Sequence, residues 1–185
     1  IPIEAHGIKL MSMGFLLGDS APVIVRGPLA TRYTQQFLQG VAWGELDVLI
    51  LDLPPGTGDI QLTTVQTVAL DGAIVVTTPQ EVALIDARKA ISMFAKVNVQ
   101  ILGLIENMSW FECEHGTRYH LFGEGGGQRE AELMDVPLLA QIPLDPDTRR
   151  RCDNGEPVAL LDGAESPIAA AFQRAAEALP VSAPA

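Results

Sequence analysis

The chain is 185 residues long, 48% of them hydrophobic, and carries a formal net charge of −11. That length and apolar content support one domain with a sizeable core spanning residues 1–185, and the acidic balance works against nucleic acid and anionic membrane as partners of the overall surface. Cys113 and Cys152 are the only cysteines, too few for a disulfide framework and compatible with a reducing compartment. No apolar run approaches the about 20 residues that span a bilayer, and no basic-then-apolar leader opens the chain, so the simplest reading is a cytoplasmic protein. The sequence starts at Ile1 without a methionine, as the later part of a longer polypeptide would.

Taken in order, Gly7 to Met13 reads as a strand, and Pro22 to Pro28 as a short extended piece closed by a turn. Leu29 to about Val41 suits a helix, which Gly40 and Gly44 help to end. Asp47 to Leu53 is a continuous apolar run of the kind a buried parallel strand shows. Ile60 to about Leu70 has helical spacing, with Leu62, Val65, Val68 and Ala69 on one side. Gly72 to Thr78 is a second buried strand, stopped by Pro79. From Glu81 to Val97 the spacing of Val82, Ile85, Ala90, Met93, Phe94 and Val97 predicts a helix with that face inward.

Val99 to Ile105 is the next strand, and a polar, glycine-rich excursion from Glu106 to Gly127 follows it. Gln128 to Met134 reads as helix and Leu138 to Ile142 as strand. Ser166 as N-cap and Pro167 at the first helical position open a terminal helix to Leu179, and 180–185 read as a frayed tail. Alternating strands and helices at this spacing predict an α/β fold with a doubly wound, mostly parallel sheet.

In such sheets ligands gather beyond the carboxyl ends of the strands, and Asp52 stands at one such end. Pro54 and Pro55 restrict the backbone, whereas Gly56 and Gly58 let an anion approach its N–H groups; Asp59 is placed to cap the helix that follows. A carboxylate beside such donors is what a magnesium-nucleotide site requires, although a strand end with a tight turn and a capping Asp52 has the same residue types.

The string Asp52-Leu53-Pro54-Pro55-Gly56-Thr57-Gly58-Asp59 resembles the second nucleotide motif of the Mrp/ApbC family, deviant P-loop ATPases related to MinD that carry iron-sulfur clusters. The resemblance continues in family order through His6 to Phe15, Arg26-Gly27-Pro28, Trp43 to Asp47, Thr78-Pro79-Gln80 with Ala87-Arg88-Lys89, and Glu106-Asn107-Met108-Ser109. It then takes in Phe122-Gly123 with Gly125-Gly126-Gly127, and Val136 to Asp145. It implies an ATP-binding domain of the P-loop, MinD-like type, usually a homodimer that serves apo iron-sulfur recipients. Asp52 would act near magnesium, through a water it holds, Gly56 near the γ-phosphate, and Asn107 with Pro143 and Asp145 by the adenine. Without the resemblance, Asn107 reads as a turn residue after a strand.

Two departures stand out. None of the lysines (Lys9, Lys89, Lys96) follows a glycine-rich loop, so the Walker A segment is missing; the simplest account is an N-terminally incomplete domain that hydrolyses ATP poorly by itself. The family's cluster-binding Cys-x-x-Cys reads Cys113-Glu114-His115-Gly116 here, so Gly116 stands in the place of the second thiol. Two copies of Cys113 supply two of the four thiolates a bridged cluster takes, with His115 and His120 near enough in sequence to be considered as further ligands. An exposed polar loop with a solitary thiol is the plainer reading. Cys152 matches no family ligand. Gly125 to Gly127 offers either an anion-facing helix start or a hinge, and Arg149 to Arg151 either an anion patch or a solvated helix face. The functional expectation is an ATP-binding iron-sulfur cluster carrier, and the alternative is a MinD-like nucleotide-dependent switch without cluster chemistry.

Overall fold

The computed structural model describes residues 1–16, 27–54, 56, 58–161, 163 and 166–179. Residues 22–26 of the extended piece expected at Pro22 to Pro28 and the tail 180–185 lie outside them, and Gly27 and Pro28, expected to close that piece with a turn, instead open a helix. The chain forms two compact units, one from Ile1 to Ala69 and the other from Leu70 onward.

In the first unit, strands β1 (Ile3–Ala5) and β2 (Ile8–Leu10) make an antiparallel hairpin, with Ala5 opposite Ile8. His6 and Gly7, at φ 54° and 78°, form its two-residue turn, the left-handed geometry that matches strand twist. The expected strand from Gly7 to Met13 is therefore shorter, and Met13–Phe15 is a turn of 3-10 helix capped by Ser12. Helix α1 (Gly27–Gln39) is followed by a turn that Lys9 secures, its Nζ donating to the Trp43 carbonyl at 2.6 Å, while Trp43 Nε1 donates to the Phe37 carbonyl at 2.8 Å. Helix α2 (Asp59–Thr67) packs on α1.

The run Asp47 to Leu53 is not a strand. It joins no ladder among the described residues, and Val48, Leu49 and Ile50 are exposed. An apolar run becomes a strand only when a neighbour takes its N–H and C=O groups, and here none does. Asp59 is likewise the first residue of α2 rather than its cap, which is Gly58.

The second unit is built on a mixed sheet. Strand β3 (Ala73–Thr77) pairs in parallel with β4 (Ile101–Glu112), and β4 in parallel with β6 (Leu138–Leu144). The far end of β4 pairs antiparallel with β5 (Arg118–Tyr119). Helix α3 (Glu81–Lys96) and Met134 of α4 (Gly126–Met134) enclose Val75, whereas α6 (Pro167–Glu177) encloses Ala140 and Ile142 with Ile105 at the margin. Leu104 is registered with Val75, and its successor Ile105 with Ala140, so the two clusters lie on opposite faces of the sheet. This is the expected α/β architecture, with helices on both sides.

Helix α3 keeps its predicted span and the Met93–Phe94 part of its predicted face, but not the part at Val82 and Ile85. Leu84, Ala87, Ile91, Met93 and Phe94 are buried, whereas Val82 and Ile85 are exposed. The terminal helix begins as read from sequence, with Ser166 Oγ accepting the Ala169 N–H at 3.2 Å and Pro167 in the first turn. Helix α5 (Pro146–Asp153) starts on Asp145, whose Oδ2 accepts both the Thr148 N–H and its hydroxyl at 2.7 Å. No helix among the described residues is long and apolar enough to cross a membrane.

Candidate functional site

The phosphate-facing candidate lies in the first unit. Asp52 is exposed, as are Pro54, Gly56 and Gly58. Gly56 sits at φ 99° with nothing within 4 Å of the place a Cβ would take. Glycine is required there by backbone conformation, and the space beside it is open to a ligand. Gln61, buried in the first turn of α2, donates its Nε2 to the Pro54 carbonyl at 2.7 Å, tying the loop to the helix. An exposed hard-oxygen donor next to an open backbone turn fits a hydrated magnesium ion and a terminal phosphate. The lysines are engaged or placed elsewhere: Lys9 on the Trp43 carbonyl, Lys89 on Asp86, and Lys96 in the last turn of α3. The loop thus offers an exposed carboxylate and an open backbone turn, with no lysine beside them among the described residues.

In the second unit the carboxyl ends of the three parallel strands align, Thr77 with Glu106 and Glu106 with Gln141. Asn107 is registered with Ile142, one residue before Pro143, so the structure brings together Asn107 and the Pro143 to Asp145 segment at one end of the sheet. Asp145 already uses one carboxylate oxygen to cap α5.

Glu106 is 1% exposed, and sequence reasoning passed over it. Its Oε2 accepts the Gly127 N–H at 2.5 Å and its Oε1 the Gln141 Nε2 at 2.8 Å. This carboxylate occupies the start of α4, so the anion expected at Gly125 to Gly127 is a residue of the protein itself. The glycines there serve close packing rather than a hinge: a Cβ on Gly127 would lie 2.8 Å from Glu106 Oε2, and one on Gly126 2.2 Å from the Pro79 carbonyl oxygen. Nearby, Arg88 bridges the buried Glu130 and the exposed Glu81 at 2.8 Å each, and the Glu130 hydrogen bond leads in raising the guanidinium pKa further above its ordinary range.

The excursion expected from Glu106 onward begins instead as seven more residues of strand, because β5 folds back to pair with β4. Glu112 faces Arg118, their side chains pair at 2.7 Å, and Arg118 lies 4.8 Å over the Trp110 ring. Cys113 starts the turn of this hairpin. Its N–H donates to the Thr117 carbonyl at 3.0 Å, and its carbonyl accepts the Gly116 N–H at 2.8 Å. Gly116 has φ 76° with open space beside it, so the residue in the second-cysteine position is one that the turn itself favours. The thiol is half-buried, and the backbone N–H of His115, then that of Thr117, hold its pKa below the ordinary thiol value, against the opposing effect of burial. His120 Nε2 lies 3.7 Å from Glu124, and no group of three Cys, His, Asp or Glu side chains able to hold a metal occurs among the described residues.

The lowered thiol pKa has a readable consequence. In a Cys152→Ser background, the alkylation rate of Cys113 by iodoacetamide is expected to rise with pH to a midpoint below that of an ordinary cysteine thiol. Because the folded-state pKa is depressed, thiolate stabilisation is present above the unfolded value and is lost as pH falls through the folded one. A midpoint equal to that of the same chain in denaturant would contradict the backbone-donor arrangement.

Cys152 is exposed. Arg149 to Arg151 form no free cationic patch: Arg149 pairs with Asp153 at 3.2 Å, Arg150 and Arg151 both pair with Asp147, and Arg151 also reaches Glu156 at 3.6 Å. The hydrogen bond from Arg151, followed by the charge of Arg150, lowers the Asp147 pKa.

Comparison with known proteins places this arrangement. A ParA-type family model, described as the NUBPL iron-transfer P-loop NTPase, matches residues 1–180. An iron-sulfur cluster carrier protein of Pseudomonas fragi is 49% identical over 177 residues, which cover 95% of this chain and 61% of that protein. A nucleotide-binding protein of Archaeoglobus fulgidus, solved with ADP and cobalt, superposes with a TM-score of 0.71 at 40% identity over 84% of this chain and 60% of its own. The cell-division ATPase MinD of Pyrococcus furiosus superposes with a TM-score of 0.59 at 26% identity, over 80% of this chain and 57% of its own. The chain thus spans about three fifths of the length of these relatives. With an iron-transfer NTPase model matching nearly end to end and a P-loop fold shared with these structures, the chain belongs to the NUBPL iron-transfer P-loop NTPase family.

Proposed function

We propose that this chain is part of an ATP-binding iron-sulfur cluster carrier that acts in the cytoplasm as a homodimer and passes clusters to apo iron-sulfur proteins. The observation that carries the cluster role is the placement of Cys113 at the turn of the β4–β5 hairpin, its thiol facing the His115 and Thr117 N–H groups that favour the thiolate. Thiolate is the form that binds iron. One such thiolate per chain makes a cluster a shared load: a second copy would bring the second cysteine, and the remaining ligands would come from outside these two residues.

The nucleotide half of the reading rests on the Asp52 to Asp59 loop and on Asn107. Bound magnesium would neutralise phosphate charge, and Asp52 would hold its water shell. Gly56, with its open backbone, would present N–H donors to the terminal phosphate, while Asn107 and the Pro143 to Asp145 segment would meet the adenine. A phosphate-cradling lysine has to come from residues other than those in this chain.

Anaerobic reconstitution of the full-length protein with ferrous iron and sulfide tests the cluster role. The expected result is a visible absorbance band, with iron and sulfide retained through desalting, that Cys113→Ser abolishes. Gly116→Cys is expected to raise cluster retention by adding a second thiolate, at a backbone cost of about 1–2 kcal/mol for a non-glycine residue in the left-handed region. The absence of any band in the parent would instead favour a MinD-like nucleotide switch, the reading to which Gly116 in the second-cysteine position is the pointer.

A further inference from the structure

At Glu106 the parallel pairing of β4 with β3 ends, and just beyond it β4 changes character. The register with β6 shifts between Asn107 and Phe111, and Met108 adopts φ 55°. A non-glycine residue in that region stores strain that persists only where the surroundings over-determine it, and a bulge at a strand end re-aims the side chains on it. The restraints are visible. Glu106 Oε2 accepts from Gly127 N–H and Oε1 from Gln141 Nε2, the buried Ser109 hydroxyl donates to the Glu106 carbonyl at 2.9 Å, and Asn107 Oδ1 accepts the Met108 N–H at 3.0 Å.

We propose that Glu106 is a positioning residue of the nucleotide site: clamped between the start of α4 and Gln141 of β6, it locks the bulge that aims the Asn107 carboxamide and so sets nucleobase selectivity without touching the base. This rests on the reading of Asn107 as a base contact. The clamp needs an acceptor toward Gly127 and a complementary partner toward residue 141, and a carboxylate with an amide satisfies both. Gln141→Glu alone sets a half-buried carboxylate against the buried one of Glu106, and the like charges drive them apart. Adding Glu106→Gln reverses the polarity of the pair: the amide of residue 106 offers its carbonyl to Gly127 N–H and its NH2 to the carboxylate of residue 141.

The test is calorimetric titration of the full-length protein with magnesium ATP and magnesium GTP, with thermal unfolding followed in parallel. Gln141→Glu is expected to reduce the ATP-over-GTP preference by about tenfold, the range of one specific hydrogen bond to a base, and Asn107→Ala to do the same. The Glu106→Gln/Gln141→Glu double variant is expected to restore most of it. Gln141→Leu, which adds no charge, gives the same loss in a form that folds if the charged variant does not. A double variant as unselective as Gln141→Glu overturns the proposal, as does a Gln141→Leu variant that loses stability but keeps its preference. If Asn107→Ala leaves the preference unchanged, the base-contact reading falls and the proposal with it. If Asn107→Ala abolishes it and the residue 141 variants do not, the positioning role alone is wrong.

Discussion

Asp52→Ala in the full-length protein is expected to lower ATP turnover by at least about a hundredfold, the scale of removing one preorganised group from a charged transition state. The argument is local. Asp52 is exposed at the end of an apolar run, and the chain after it is shaped by Gly56 at φ 99° and by the hydrogen bond from Gln61 to the Pro54 carbonyl. The Asp52 side chain is exposed, so its loss is expected to change stability by no more than about 0.5 kcal/mol, as for other exposed positions. Phosphate release and thermal unfolding measured on the same preparation separate the two effects. Turnover within a few-fold of the parent would remove Asp52 from the metal site, and a cooperative transition at an unchanged temperature would show that any loss is chemical.

Gly126→Ala is expected to be the most disruptive small substitution in the second unit. A methyl group there would stand 2.2 Å from the Pro79 carbonyl oxygen and 2.9 Å from its carbon, both backbone atoms that no rotamer change can move. Overpacking of this kind costs about 1–3 kcal/mol and occasionally more, and the upper end applies where the obstacle is main chain. Relief requires α4 to retreat, which withdraws the Gly127 N–H from Glu106 and leaves a buried carboxylate short of a donor. Chemical denaturation should show a fall of about 3 kcal/mol. Gly56→Ala, strained but with open space around it, should fall by about 1–2 kcal/mol. Equal costs for the two would mean that conformation rather than packing sets the demand for glycine at both positions.

The helix caps, the strands and the site residues differ in how directly the chain announces them. Ser166 and Pro167 start α6 as read, because capping is a contact between residues three apart. The parallel strands at β3, β4 and β6 were legible for a similar reason: each is a short apolar run bounded by its own turn residues. Asp52, Asn107 and Cys113 were singled out from motif strings, and the structure adds where each one stands.

What the chain could not announce by itself depends on partners distant in sequence. Asp47 to Leu53 has the composition of a buried strand and yet is none, since a strand is defined by the neighbour that accepts its hydrogen bonds. The α3 stripe was read correctly at Met93 and Phe94 but not at Val82 and Ile85, where the packing selected Leu84, Ala87 and Ile91, because several faces of that helix are apolar and only the packing surface chooses among them. The extension of β4 as far as Glu112 needed β5 to fold back on it. Composition and local spacing determined the α/β class, most element positions and the motif residues. Tertiary structure alone decided that Glu106, 21 residues from Gly127 and 35 from Gln141, fills the helix start that the glycines seemed to hold open for a ligand. A buried carboxylate must find its donors wherever the fold puts them, and those distances along the chain leave no periodic trace.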